Sequence, residues 1–186
     1  KLLKKITIFN KNDYLWRTFS NDQIDLDFKN PKVLIRFIKV MLNLSNNGIS
    51  IFRLDAIAYL WKKSGTKCIN LRQTHEIVQL LRLVCDSLNF PPTLVTETNL
   101  PEKENLSYFG KNNNESNWIY NFTLPPLLIH ALLFEDSSNL FKWSEKLPQT
   151  KKGNNYLNFI ASHDGIGMRP MEGFLNKNKT NKFFKR

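Results

Sequence analysis

Four short segments rich in β-branched and aromatic residues recur along the chain: ISIFRLDA (49–56), TLVTET (93–98), WIYNFTL (118–124) and YLNFIAS (156–162). Each is separated from the next by a stretch long enough for a helix. This alternation constrains the fold more than any other feature. Parallel strands need a crossover of roughly a dozen residues or more, usually helical, so strands alternating with helices imply βαβ units and a parallel sheet. The helical segments carry their own signals. PKVLIRFIKVMLNLS (31–45) has apolar residues at helical spacing, follows Asn30 as a cap and opens on a proline. LRQTHEIVQLLRLVCDSL (71–88) is a second periodic helix, and PPLLIHALLFEDSSNLFKWSEKL (125–147) a third helical region.

The charged residues of the β-rich segments fall at their carboxyl ends: Arg53 and Asp55, then Glu97, then His163 and Asp164. In parallel α/β folds, and above all in the (β/α)8 barrel, active sites are built at that end. Residues i and i+2 of a strand share a face, so Arg53 and Asp55 are expected at the barrel mouth, with Phe52 and Leu54 against the helices. A barrel takes about 250 residues. Four strand segments in 186 residues therefore predict part of a barrel.

Three carboxylates on separate strand ends suit one chemistry well. Cleaving a glycosidic bond with retention needs a carboxylate to attack the sugar carbon and a second carboxyl group to protonate the departing oxygen, about 5–5.5 Å away. An adjacent arginine such as Arg53 favours the ionised nucleophile. The acid needs surroundings that keep it protonated, and a third carboxylate can stabilise positive charge at the anomeric centre. The same residues also allow a plainer reading, with Arg53 and Asp55 as a buried ion pair and His163 and Asp164 as a loop turn.

Composition removes several classes. No apolar run reaches the roughly 18 residues of a membrane span, and the opening KLLKKITIFNKND is too short in apolar residues for a secretory signal. The net charge of +11 comes from scattered lysines interleaved with asparagine, so a solvated basic surface is expected rather than a nucleic-acid interface. The tail NKNKTNKFFKR reads as a solvated end. Cys68 and Cys85 form neither a disulfide framework nor a zinc pattern, which points to a reducing cytoplasm and no metal. His75 and His130 fall on helices and read as surface or satisfied core histidines.

FRLDA (52–56), VTET (95–98) and ASHDG (161–165) occur in order on successive strands. They resemble the three later signature regions of the α-amylase superfamily, glycoside hydrolase family 13. NDQIDLDFKNP (21–31) resembles the segment closing that family's small inserted domain. LDAIAYLWKKSGTKCINLRQTHEIVQLLR and TETNLPEKENLSYFG are similar to the sucrose phosphorylase-like branch, which includes glucosylglycerate phosphorylases. The resemblance runs from about Asp13 to Gly173. It implies an α/β fold: part of a (β/α)8 barrel, about strands four to seven with their helices, with 1–30 ending the inserted domain and 31–186 forming the partial catalytic barrel. It also implies a role for each matching residue. Asp55 would be the nucleophile that forms a covalent β-glucosyl-enzyme, Glu97 the general acid/base and Asp164 the transition-state stabiliser. Arg53 would hold the nucleophile, His163 would bind glucosyl hydroxyls, and Phe19, Gln23 and Tyr59 would line the leaving-group site.

The activity implied is transfer of a glucosyl group from sucrose or a glucosylglycerate-like α-glucoside to inorganic phosphate, with no cofactor beyond that co-substrate. An amylosucrase-like transglucosylase, an α-glucosidase and an inactive fragment are the alternatives. The family's first signature, an Asp-x-x-x-Asn-His, does not occur in the chain. The chain also lacks an initiator Met and is expected to be an internal piece, with the remainder of the same enzyme as its chief partner. Neither nucleic acid nor membrane is expected as a partner; a homodimer is one assembly the reading allows.

Overall fold

The computed structural model describes residues 2–8 and 11–171. The tail 176–186 therefore lies outside the described residues. The chain opens with an antiparallel pair, β1 (Leu3–Ile8) and β2 (Lys11–Trp16), registered from Leu3 opposite Trp16 to Ile8 opposite Lys11. The opening segment had been assigned no structure from sequence. An extended segment, tied back where Asp25 N–H donates to the Trp16 carbonyl at 3.0 Å, leads to helix α1 (Pro31–Asn46). Asn30 caps that helix: its side-chain oxygen accepts from the Lys32 N–H at 3.0 Å, and Pro31 fills the first turn. At the other end Gly48, with φ +90°, permits the left-handed exit that stops it.

Four strands follow: β3 (Ile51–Leu54), β4 (Thr93–Thr96), β5 (Trp118–Tyr120) and β6 (Asn155–Leu157). They pair in parallel in the order of the sequence, β3-β4-β5-β6. Helix α2 (Arg72–Asp86) joins β3 to β4, and a short α3 (Glu102–Leu106) lies between β4 and β5. The third helical region divides in two. Glu135 takes a left-handed conformation (φ 52°), ending α4 (Leu124–Phe134) before α5 (Ser138–Lys146) begins. The strands are shorter than the β-rich segments, because residues past their carboxyl ends turn away into loops, and β6 begins one residue before its segment.

The core lies between this sheet and the helices. Alternation on β3 buries Phe52 and Leu54 while Ile51 and Arg53 stay exposed, whereas the inner strand β4 buries Leu94, Val95 and Thr96 in succession. Ile77, Val78, Leu81 and Cys85 form one face of α2 and meet Leu94, Ile119 and the fully buried Tyr108. Met41, on the inward face of α1, joins the same cluster. No helix among the described residues is long and apolar enough to cross a membrane.

Candidate active site

The carboxyl ends of β3, β4 and β5 bring three of the expected residues together. Arg53 is the third residue of β3, and Asp55 follows the strand directly. Ala56 then adopts a left-handed conformation, φ 45° and ψ 32°, unfavourable for an L-residue by roughly 1–2 kcal/mol. That kink turns the chain into the 3-10 turn Ile57–Tyr59. It also points the Ala56 N–H at Glu97, whose Oε2 accepts it at 2.8 Å. Glu97 is positioned in turn by its own N–H, which donates to the Leu54 carbonyl at 3.1 Å and so continues the β3–β4 ladder by one residue.

Arg53 joins the group. One terminal nitrogen reaches Asp55 Oδ1 at 2.5 Å and the other reaches Glu97 Oε1 at 3.5 Å. Its Nε donates to the Tyr120 hydroxyl at 3.1 Å, and the guanidinium lies 5.6 Å from the Tyr120 ring centroid. Partial burial is the largest influence on this group and acts against its charge. The bonds to Asp55 and Tyr120, with the charges of Glu97 and Asp55, outweigh it and hold the Arg53 pKa above its ordinary value. The cation is thereby fixed as the partner of both carboxylates. These charges are not buried: the Arg53 and Asp55 side chains are 36% and 70% exposed, whereas that of Glu97 is 15% exposed. The ion pair of the plainer alternative is therefore present but not buried as that reading expected, and Glu97 from the neighbouring strand is drawn into it.

Tyr120, the last residue of β5, went unremarked in the sequence. The sequence did not mark it, because the β-rich segment runs on to Leu124 and only the fold ends the strand at Tyr120. Its ring stacks on Phe122 and meets Phe159 edge-on. Its carbonyl accepts from buried Asn105 at 2.8 Å, and Asn105 also accepts from the Thr98 hydroxyl, so the loop after β4 is fastened to the end of β5.

His163 and Asp164 are placed differently. They occupy a turn closed by the Ser162–Gly165 bridge, pair with each other at 3.4 Å, and leave 75% and 70% of their side chains exposed. Among the described residues no hydrogen bond or ion pair joins them to Arg53, Asp55 or Glu97. Of the three residues expected at the leaving-group side, Phe19 and Tyr59 meet edge-to-face with centroids 5.2 Å apart. Gln23 does not join them; its side chain accepts from the Ser20 hydroxyl at 3.3 Å. Arg169 donates to the Tyr59 hydroxyl at 3.2 Å.

A concavity of about 760 Å³ lies elsewhere, on the flank of α2. Its polar groups largely satisfy one another: His75 bonds Glu115 through Nδ1 at 2.6 Å and Asn70 through Nε2 at 3.0 Å, and Gln79 donates to Glu115 at 3.0 Å. His75 is thus a satisfied histidine that pins the loop before β5. Among the described residues no cluster of His, Cys, Asp and Glu could hold a metal ion.

Comparison with known proteins agrees with this geometry. Residues 9–178 match the family described as "Alpha amylase, catalytic domain". The chain is 40% identical over 179 residues to a glucosylglycerate phosphorylase of Escherichia coli (strain K12), covering 94% of this chain and 32% of that protein. It is 46% identical over 161 residues to one from Spirochaeta thermophila, covering 87% and 27%. The chain thus spans about a third of the length of the curated relatives it matches. Among solved structures, a sucrose 6F-phosphate phosphorylase from Thermoanaerobacter thermosaccharolyticum superposes with a TM-score of 0.81 at 23% identity, over 97% of this chain and 36% of that one. At that identity the superposition speaks for the fold alone. Four parallel strands in sequence order, charged residues at the carboxyl ends of β3 and β4, and this family match establish that the chain belongs to the α-amylase catalytic-domain family and forms part of its (β/α)8 barrel.

Proposed function

We propose that this chain carries the central catalytic residues of a retaining α-glucoside phosphorylase, acting on a glucosylglycerate-like α-glucoside or sucrose. The observation that carries the reading is the group at the ends of β3 and β4: Asp55 held by Arg53 at 2.5 Å, beside Glu97 anchored on the next strand by the Ala56 N–H. In the first step the Asp55 carboxylate attacks the anomeric carbon from the face opposite the leaving group. Glu97 gives its proton to the departing oxygen. In the second step Glu97, now a carboxylate, takes a proton from phosphate as a phosphate oxygen attacks the same carbon and the bond to Asp55 breaks. Two inversions return the α-configuration, giving α-glucose 1-phosphate. Asp164 stabilises the positive charge that develops on the sugar ring, His163 binds glucosyl hydroxyls, and Phe19, Gln23 and Tyr59 line the leaving-group side. Phosphorolysis, rather than hydrolysis, is supported by the relatives named glucosylglycerate phosphorylase at 40% and 46% identity. Two buried, unpaired cysteines, Cys68 and Cys85, support a reducing compartment.

The test is direct. The natural full-length protein, given glucosylglycerate or sucrose with inorganic phosphate, is expected to release α-glucose 1-phosphate, scored by coupled assay. Full turnover without phosphate would mark a hydrolase or a transglucosylase instead. No turnover with either donor would favour the inactive alternative.

A further inference from the structure

Lys62 lies seven residues beyond Asp55, past the turn that holds Tyr59, within the LWKKSGTKC stretch that carries the family resemblance, where it was given no role of its own. Its ammonium has three protons, and three oxygens surround it: Asp25 Oδ2 at 2.6 Å, Thr18 Oγ1 at 3.1 Å and the Tyr59 carbonyl. The Thr18 hydroxyl is equally committed. It accepts from Lys62 and from Trp16 Nε1 at 3.1 Å, and donates to Asp25 Oδ2 at 2.5 Å. The Thr18 N–H closes the network on Asp25 Oδ1 at 3.0 Å, and the ammonium also lies 5.5 Å from the Trp16 ring. Lys62 and Asp25 are 13% and 18% exposed, so the pair is largely withdrawn from solvent. A partly buried ammonium with every proton bonded is rigid, because moving it would leave groups unpaired.

The two ends of this network are the two rings of the wall. Thr18 precedes Phe19, and the bound carbonyl is that of Tyr59, whose ring meets Phe19 at 5.2 Å and 73°. The segment carrying Phe19 comes from the amino-terminal region, while Tyr59 follows the strand that bears Asp55. A single ammonium therefore ties the segment that carries one ring to the segment that carries the other. We infer that Lys62 is a positioning residue for the leaving-group side of the sugar site, holding Phe19 and Tyr59 as one wall through Thr18 and Asp25. The inference rests on the proposal that those two rings face the leaving group.

The experiment compares two donors in the natural full-length protein, one carrying a full leaving group and one without. Glucosylglycerate spans the wall; α-glucosyl fluoride, whose leaving group is a single atom, does not reach it. Both are assayed by release of the leaving group without added phosphate and with it. Lys62→Met keeps an unbranched side chain of similar length and removes the charge. It is expected to raise KM for glucosylglycerate and to lower kcat/KM by roughly 10- to 100-fold. For α-glucosyl fluoride, kcat/KM should stay within about twofold. Lys62→Arg should recover part of the loss, and Thr18→Val, a smaller perturbation, should move both donors in the same directions by less. Equal losses with the two donors, or none with either in Lys62→Met and Thr18→Val, would overturn the inference. A wild-type protein that hydrolyses both donors without using phosphate would overturn the phosphorylase reading alone. Absence of turnover with either donor would overturn both.

Discussion

The ends of β3 and β4 and the turn after β6 carry residues expected to serve one reaction, yet they are held in opposite ways. At the first, Asp55 and Glu97 are gripped by Arg53, by the Ala56 N–H and, through Arg53, by Tyr120. At the second, His163 and Asp164 bond to each other across 3.4 Å and stand in solvent. The difference follows from where each residue lies relative to its strand. Asp55 and Glu97 directly follow β3 and β4, which are paired with each other, so each strand end supplies partners to the other; His163 and Asp164 lie six and seven residues beyond the end of β6 at Leu157, in a turn of their own. Immobilisation of a charge thus depends on its closeness to a paired strand end.

That contrast can be broken by mutation, the largest effect first. In the natural full-length protein, Asp55→Asn is expected to lower phosphorolysis on the order of 10⁴-fold or more, and Asp164→Asn by a comparable factor despite its lack of contact with Asp55. A small effect of Asp164→Asn in steady-state kinetics would separate the two regions and confine the chemistry to β3 and β4. Arg53→Met should follow at roughly 10²-fold, because it frees both carboxylates at once. Arg53→Lys should lose nearly as much, since an ammonium cannot bond Asp55, Glu97 and Tyr120 through separate nitrogens. Tyr120→Phe removes one bond to the guanidinium and keeps the ring beneath it; a loss of about tenfold or less is expected. If Tyr120→Phe equalled Arg53→Met, the grip would lie in the tyrosine rather than in the cation.

The smallest effect lies away from both regions and is one of stability. Burial pushes the Asp25 carboxyl up, but the bonds from Lys62 and Thr18 outweigh it and hold its pKa below the usual value. A depressed folded-state pKa stabilises the protein above the unfolded value of about 4, and that contribution fades as pH falls through the folded value. The stability gap between wild type and Asp25→Asn, measured by urea unfolding at a series of pH values, should therefore be widest above about pH 4 and close below it. A gap that widens on acidification would contradict the assignment.

The order of elements was legible because it follows from patterning. Asn30-Pro31 marked the start of α1, alternation on β3 named Phe52 and Leu54 as core, and FRLDA and VTET marked the ends of β3 and β4, whereas ASHDG falls in a turn beyond the end of β6. What the sequence hid were contacts between segments distant along the chain. Nothing local to Lys62 tells that its ammonium meets Asp25, and nothing local to Tyr120 tells that its hydroxyl meets Arg53. The break at Glu135 was hidden for another reason. FEDSSN lacks the Gly or Pro that usually announces a helix end, and a glutamate supplies the left-handed residue instead. Gln23 was assigned to the leaving-group side on resemblance alone, since nothing in its local sequence marks it for that place.

The central claim is that Asp55 becomes covalently attached to the sugar. Incubating the natural full-length protein with 5-fluoro-α-glucosyl fluoride, whose second fluorine slows breakdown of the intermediate, followed by peptic digestion and mass spectrometry, tests it directly. The account predicts one added fluoroglucosyl group on the peptide containing FRLDA, localised by fragmentation to Asp55 and absent from Asp55→Asn. A label on Glu97 or Asp164, or turnover of the natural donor with inversion and no labelled peptide, would contradict it.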